Sequence, residues 1–493
     1  MKIGDLLSQI EYTVVNGTVD TEITGLSRDN RKAEEGDFFI CTVGARFDTH
    51  DESVLRALCE KGVRGFLVEK DVPADLPATV IRVADTRLSG AFLYSAFYGF
   101  PATQLTMIGV TGSKGKTTTT HMLAEVLRAS GRNVGTIGTN GVCYNGKSYE
   151  IANTTPDYDE TERTLREMVD AGVDTCVLEV SSQAMKKHRV DGILFDYGIW
   201  MNIQKGDHIG PNEHESFEEY LQCKAELLNH SKVGLIHMDD PYVPELLKLV
   251  KVPYVTFGEG ENVDYRATGI EADFDEAKQE PGVRFQVSGK IEENFRINFP
   301  GDYNVFNALA AIAVADLLKA PASAMKEALT NVHIKGRNDI VYRGKFSVCV
   351  DFAHNGESTW AHLRAMRAYN PKRLICIFGA DGNRTKDRRY GMGEAAGTLA
   401  DLAIVTSGHN RFETFEQILF DTEVGLKKAP HPNYMAIKNR KEAIRYAMNH
   451  AEEGDLITII GLGHEHWQEE NGVKTVYNDE DFVKEVLSEM GLR

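Results

Sequence analysis

The chain has 493 residues, of which 42% are hydrophobic and 26% charged, and its 55 basic and 73 acidic residues give a net charge of -18. That length exceeds a single hydrophobic core and, at roughly 100–200 residues per domain, predicts about three domains; the composition excludes widespread disorder. The acid excess opposes nonspecific binding to nucleic acid or to an anionic membrane face, so neither is expected as a partner.

The first residues, MKIGDLLSQIEYTVV, lack the long apolar stretch of a secretion signal. No apolar run approaches the roughly 18 residues that cross a bilayer. Seven cysteines stand at 41, 59, 143, 176, 223, 349 and 376 without a CxxC pair. They read as reduced thiols, several of them buried, in a cytoplasmic protein rather than as a disulfide or zinc framework.

In chain order, residues 1–102 alternate short apolar runs with turn signals. They predict a small α/β domain with strands at 61–69 and 78–83 and helices at 55–60 and 87–98. A second domain, 103–336, opens after Pro101 with a buried strand at 105–110, a Gly-rich loop and a helix at 117–130. Strands at 175–180 and 197–201 follow, then a helix at 217–229 with Phe217, Tyr220, Leu221, Leu227 and Leu228 near one stripe. Residues 258–300 read as peripheral β-structure, and a helix at 304–319 closes the domain. The third domain, 337–493, alternates strands at 347–351, 374–379, 402–406 and 456–460 with helices at 358–369, 393–400, 413–427 and 441–450. That alternation predicts a parallel, doubly wound, Rossmann-like sheet, so the fold class is α/β throughout.

The segment Gly109-Val-Thr-Gly-Ser-Lys-Gly-Lys-Thr-Thr-Thr sits between an apolar strand and a helix, where a phosphate cradle belongs. Gly112 and Gly115 permit close backbone approach; Ser113 and Thr118 line the loop. Lys116 supplies charge to β/γ-phosphates and Thr117 a hydroxyl for Mg²⁺. Lys114 reads equally as a further phosphate contact or as a solvated side chain. The spacing departs from GxxxxGK[ST], because Gly112 lies only three residues before Gly115.

Further short motifs follow in a fixed order: Asn153-Thr-Thr-Pro-Asp, Glu179-Val-Ser-Ser, His188-Arg-Val-Asp-Gly, Asp207-His, Tyr220-Leu-Gln-Cys-Lys, Asn304-Val-Phe-Asn-Ala-Leu-Ala-Ala, Gly336-Arg, Val350-Asp-Phe-Ala-His and Gly463-His-Glu. In this order, and over nearly the whole chain, they resemble the Mur ligase family, most closely its tripeptide-synthetase branch. The resemblance implies an ADP-forming ligase of peptidoglycan synthesis. ATP and Mg²⁺ activate the carboxylate of UDP-MurNAc-L-Ala-D-Glu as an acyl phosphate, and a diamino acid attacks it. A monomer is expected.

The resemblance assigns Mg²⁺ to Glu179, His208 and Thr117, and to Lys224 as a CO₂-derived carbamate. Carbamylation needs a neutral amine and turns a cation into a metal-binding anion. Asn304 and Asn307, three apart on a helix, correspond to adenine contacts, Arg337 to an arginine on the ATP phosphates, and Asp351, with His354 on the same loop, to a ribose contact. Taken alone, Asp351 reads equally as a turn or helix-capping residue. Asn153, Thr154, Thr155, Ser181 and Arg189 correspond to positions that hold the muramoyl-dipeptide. Asn30 and Arg31 fall in the uridine-binding start, with Asp29-Asn-Arg where the family usually has Asp-Ser-Arg. Gln183 and Lys187 also depart from the family's usual His and Gln.

For the incoming amine, the family's diaminopimelate-adding members carry Asp-Asn-Pro-Arg where this chain has Gly408-His409-Asn410-Arg411. Arg389, Gly461 and Glu465 match the other gripping positions. An Arg389–Arg411 pair suits a distal carboxylate and Glu465 an ammonium. Retention of Arg411 favours meso-diaminopimelate; the changed residues before it leave L-lysine or another amine as the alternative.

Overall fold

The computed structural model describes residues 1–44, 47–205, 208–210, 213–278 and 280–492. The chain divides into two compact units, residues 1–265 with 310–321, and residues 266–309 with 322–493.

The first unit carries two sheets. The smaller has the order Thr13–Asn16, Thr79–Arg82, Gly65–Val68, Asp37–Ile40, Gly25–Ser27, parallel except for its first strand. Helices Glu52–Glu60 and Thr86–Phe97 pack their apolar stripes against it, with Leu55 and Leu58 buried on one and Ala91 and Leu93 on the other. The larger sheet runs Tyr254–Gly258, Ser231–His237, Phe195–Trp200, Thr106–Thr111, Thr175–Glu179 and Val134–Gly138, all parallel. Val134–Gly138 then pairs antiparallel with Gly141–Tyr144. Thr106–Thr111 is central, and its residues from Met107 onward are buried, as a parallel strand covered on both faces requires. In register, Glu179 lies opposite Val110 and Trp200 opposite Thr111. The residues that follow all three strands therefore emerge on one edge, where ligands of open α/β sheets bind.

The second unit, from Arg266 onward, holds all but the first residue of the strand Tyr265–Asp275, beside which lie Glu280–Gly289 and Glu293–Ile297. Its main sheet has the order Asp339–Arg343, Ser347–Asp351, Leu456–Ile460, Leu374–Phe378, Leu402–Val405, Tyr434–Ala436, parallel after the first strand. Alternation within the strands builds two cores. Val348, Val350, Ile375 and Ile377 face helices Arg440–Asn449 and Asp479–Glu489. Cys349, Cys376 and Phe378 face Gly356–Arg367, Lys386–Leu399 and Phe415–Leu426. The doubly wound sheet is the one expected, and Cys349 and Cys376 are free and buried. Sequence reading did not mark the hairpin Trp467–Glu470/Val473–Val476 or the helix Tyr158–Asp170.

Candidate active site

The loop after Thr106–Thr111 turns through Gly115 at φ +85°, a conformation that favours glycine, into the helix Lys116–Ala129. The loop backbone is fixed by Asn202, just beyond the neighbouring strand Phe195–Trp200. The amide of Lys114 donates to Asn202 Oδ1 at 2.9 Å, and that of Ser113 to the Asn202 carbonyl at 2.9 Å. Lys116 folds back over the loop, its Nζ donating to the Gly112 carbonyl at 2.7 Å. Thr117 and Thr118 are buried in the first helical turn.

Glu179 ends its strand beside this turn and is 1% exposed. Its Oε2 accepts from the Thr117 hydroxyl at 3.0 Å and from the Thr139 hydroxyl at 3.1 Å; its Oε1 accepts from the Thr139 amide at 2.9 Å. A Cβ on Gly138 would stand 2.2 Å from Glu179 Oε1, so this carboxylate depends on a glycine in the adjoining strand. The Thr139 hydroxyl is 3.2 Å from that of Thr154. Thr155 donates to the Glu179 carbonyl at 2.8 Å, and its hydroxyl also lies 3.3 Å from Ser181 Oγ. Asn153 is exposed beside this cluster in sequence.

Lys224 lies on the helix Phe217–Asn229 and is 2% exposed, its Nζ 4.9 Å from the Tyr220 ring centroid. Tyr220 joins it to the phosphate loop, because its hydroxyl is 2.8 Å from Ser113 Oγ. The His208 ring lies 5.8 Å from the same tyrosine; Asp207 falls outside the described residues. His214, also against Tyr220, bonds Ser182 Oγ at 2.9 Å, which ties the Lys224 neighbourhood to the segment following Glu179. Burial pushes the His214 imidazole below its ordinary value, with Glu219 pulling the other way. Loop lysine, buried acid and helix lysine thus belong to one connected cluster. Thr139 and His214 gave no signal in sequence, while Tyr220 was visible in its motif and on the apolar stripe of its helix.

Arg189 donates to the Thr155 carbonyl at 2.9 Å and pairs through Nε with Asp157 at 2.6 Å. Asp157 also pairs with Arg28, whose Nε reaches Asp159 at 3.3 Å. Arg28, directly after the edge strand Gly25–Ser27 of the small sheet, thus shares Asp157 with Arg189. Asn30 and Arg31 are exposed, and Arg31 forms a fork with Asp29 at 2.8 and 2.9 Å.

In the second unit, Asn304 and Asn307 are buried and bonded to each other at 3.0 Å, and Asn304 also donates to the Pro300 carbonyl at 2.9 Å. Asp351 accepts backbone amides on both oxygens, from Asn338 at 2.8 Å and, in a local turn, from Ala353 two residues on at 2.7 Å. The Arg337 guanidinium lies 4.6 Å from the Phe352 ring centroid, and the His354 ring 4.8 Å from it.

Arg389 and Arg411, expected to hold a distal carboxylate together, both reach Asp381, Arg389 at its carbonyl at 3.2 Å and Arg411 at its carboxylate at 3.4 Å. Arg389 is 1% exposed and grips Glu413 bidentately at 2.6 and 2.8 Å and Asp421 at 2.8 Å. That bonding holds the Glu413 carboxyl below its ordinary value. The buried Nε of Arg389 has no hydrogen-bond partner among the described residues. Arg411, at φ +53°, stands 3.4 Å from Asp381, and its buried Nε has no hydrogen-bond partner among the described residues. His409 bonds Glu465 at 2.7 Å, Asn410 donates to Ser407 Oγ at 3.2 Å, and Gly461 turns the neighbouring loop at φ +113°.

A glycine-rich turn between the central strand of a parallel sheet and a helix, with a buried acid at the next strand's end, defines a phosphate-loop α/β protein. The Mur ligase middle domain matches residues 110–315, and the Mur ligase glutamate ligase domain residues 336–463. UDP-N-acetylmuramoyl-L-alanyl-D-glutamate–2,6-diaminopimelate ligase from Clostridium perfringens is 35% identical over 99% of both chains. The Bacillus licheniformis protein of that name is 34% identical over 99% of this chain and 100% of its own. A solved structure of a ligase of the same name superposes with a TM-score of 0.71 at 23% identity over 100% of both chains. Thermotoga maritima MurF ligase, solved in complex with ADP, gives 0.63 at 18% identity over 95% of this chain and 97% of that one. The chain belongs to the Mur ligase family.

Proposed function

We propose that this protein is an ATP-dependent ligase that joins meso-diaminopimelate to UDP-MurNAc-L-Ala-D-Glu, releasing ADP and phosphate. The observation that carries the reading is the connected cluster of Lys116, Glu179 and Lys224, joined through Thr117 and through Ser113 and Tyr220. The full-length relatives named for that reaction support the choice of substrates.

Residues 1–102 are assigned to the uridine nucleotide, 103–336 to ATP and 337–493 to the amine. Loop amides and Lys116 hold the phosphates, with Lys114 beside them. Asn304, Asn307, Arg337, Asp351 and His354 serve the nucleotide. Thr154, Thr155, Ser181 and Arg189 orient the acceptor, so that its carboxylate meets the γ-phosphoryl in a fixed geometry.

The donor set around Glu179 fits Mg²⁺: a buried carboxylate and the Thr117 hydroxyl are hard oxygen ligands. Glu179, Thr117, His208 and carbamylated Lys224 would hold it. When bound, the ion offsets negative charge shared by γ-phosphoryl and carboxylate. Buried in a helix against Tyr220, Lys224 is screened from bulk water, and conversion to a carbamate would exchange its positive charge for a negative one. The carboxylate oxygen attacks the γ-phosphorus and ADP leaves. The incoming amine then attacks the carboxyl carbon, losing a proton, and phosphate departs. Arg411 takes the amine's distal carboxylate and Glu465 its distal ammonium.

Phosphate release with ATP, UDP-MurNAc-L-Ala-D-Glu and a panel of amines tests this reading. Stimulation by meso-diaminopimelate above L-lysine is expected; no stimulation by any diamino acid would reject it.

A further inference from the structure

His409 stands in the loop after strand Leu402–Val405. It is 3% exposed, and its backbone is pinned by the Gly382 amide, which donates to its carbonyl at 2.8 Å. The ring lies against Trp467, centroids 4.2 Å apart and planes at 31°. Lys474 Nζ sits 3.6 Å from the same indole centroid.

The two ring nitrogens have different work. The backbone amide of Glu469 donates to His409 Nδ1 at 3.2 Å. Nδ1 is therefore an acceptor, so a neutral ring carries its proton on Nε2. Nε2 lies 2.7 Å from Glu465 Oε2 and donates to it. Among the described residues no hydrogen bond reaches the other oxygen, Oε1, and the Glu465 side chain is 21% exposed. One carboxylate oxygen is thus fixed from behind by a buried donor, and the second stays open.

We infer that His409 is a positioning residue: it acts through Glu465, clamping Oε2 so that Oε1 receives the distal ammonium of the incoming diamino acid. This rests on the proposed amine-site reading, and it moves His409 from the substrate contacts to the layer behind them. Arg411, 3.4 Å from Asp381, is the guanidinium assigned to the distal carboxylate, and a correctly held Glu465 serves the ammonium. The hairpin strand Trp467–Glu470 supplies both the ring's stacking partner and the amide that fixes its tautomer.

Two substitutions separate positioning from packing. His409→Phe keeps an aromatic ring against Trp467 but has no N–H; His409→Gln keeps a side-chain N–H near the place of Nε2. In His409→Phe, KM for the diamino acid should rise about tenfold or more, with KM for ATP unchanged, as loss of a charge-assisted bond on one substrate's side predicts. In His409→Gln it should stay within about threefold of the parent. An unchanged KM in His409→Phe, or an equal rise in both variants, overturns the inference.

A second readout does not need turnover. In ¹⁵N-labelled full-length protein, the imidazole signal lost in His409→Gln should report a proton on Nε2, and Glu465→Gln should shift it. A proton on Nδ1, or no response to Glu465→Gln, also overturns the inference. A parent enzyme that ligates no diamino acid would instead sink the functional reading, leaving the tautomer measurement to judge the clamp.

Discussion

Replacing Glu179 with glutamine separates the structural from the chemical work of that side chain. Its carboxylate accepts three hydrogen bonds, from the Thr117 hydroxyl, the Thr139 hydroxyl and the Thr139 amide. Glutamine fits the same space. Its carbonyl oxygen can take the place of Oε1 and keep the Thr139 amide, while its NH₂ faces two hydroxyls that rotate to accept. The stability cost is then the lost charge assistance, about 1–2 kcal/mol. Catalysis should suffer more, because the variant removes a full negative charge from a metal-binding position. Removing one preorganised electrostatic group costs about 2.7–4 kcal/mol, or roughly 10²–10³ in kcat. Initial rates of phosphate release across a Mg²⁺ titration, with thermal melting alongside, measure both. A variant with kcat within about threefold of the parent and an unchanged Mg²⁺ dependence would refute the metal role of Glu179.

Lys224→Ala should be nearly inactive and partly rescued by a small carboxylate such as formate or acetate; full activity without rescue would remove the carbamate from the scheme. Burial pushes the Glu162 carboxyl up to about 8, so the folded state binds its proton where the unfolded chain has lost it. Stability from this site is therefore complete below the unfolded value near 4.5 and falls as pH rises through the folded one, by up to about 1.4 kcal/mol per unit. Glu162→Gln should flatten that decline in chemical denaturation between pH 5 and 8, and an identical slope in parent and variant would contradict it. Arg440 pairs with Asp479 at 2.7 Å on both oxygens, with both side chains buried. Arg440→Met strands a buried carboxylate and should cost about 3–5 kcal/mol in denaturant unfolding; a loss below about 1 kcal/mol would show that the pair is dispensable.

What the sequence revealed was set by local chemistry. Thr106–Thr111 and the strands of the second unit's sheet are short apolar runs, and a parallel strand buried on both faces needs just that pattern. The phosphate loop was legible because strand, glycines and helix stand consecutively. Glu179 was legible as a polar residue ending such a strand. The hairpin Trp467–Glu470/Val473–Val476 was not, because it is mostly polar or exposed and shows no apolar alternation. The ion pairs of Arg389 were not legible for a different reason: its partners Glu413 and Asp421 lie 24 and 32 residues away, so its enclosure is a tertiary fact. Arg28 likewise gains its meaning only from Asp157 and Asp159, on or next to a helix that residue spacing did not reveal. The predicted start at 393 gave way to Lys386, and the helix at 413–427 begins instead at Phe415, behind the capping threonine Thr414.

Acceptor labelled with ¹⁸O in the D-glutamate carboxylate to be amidated offers the most direct measurement. If that carboxylate attacks the γ-phosphoryl and the amine then displaces phosphate, each phosphate released during ligation carries one ¹⁸O from the acceptor. Mass analysis finding amide product with unlabelled phosphate would contradict the acyl-phosphate route.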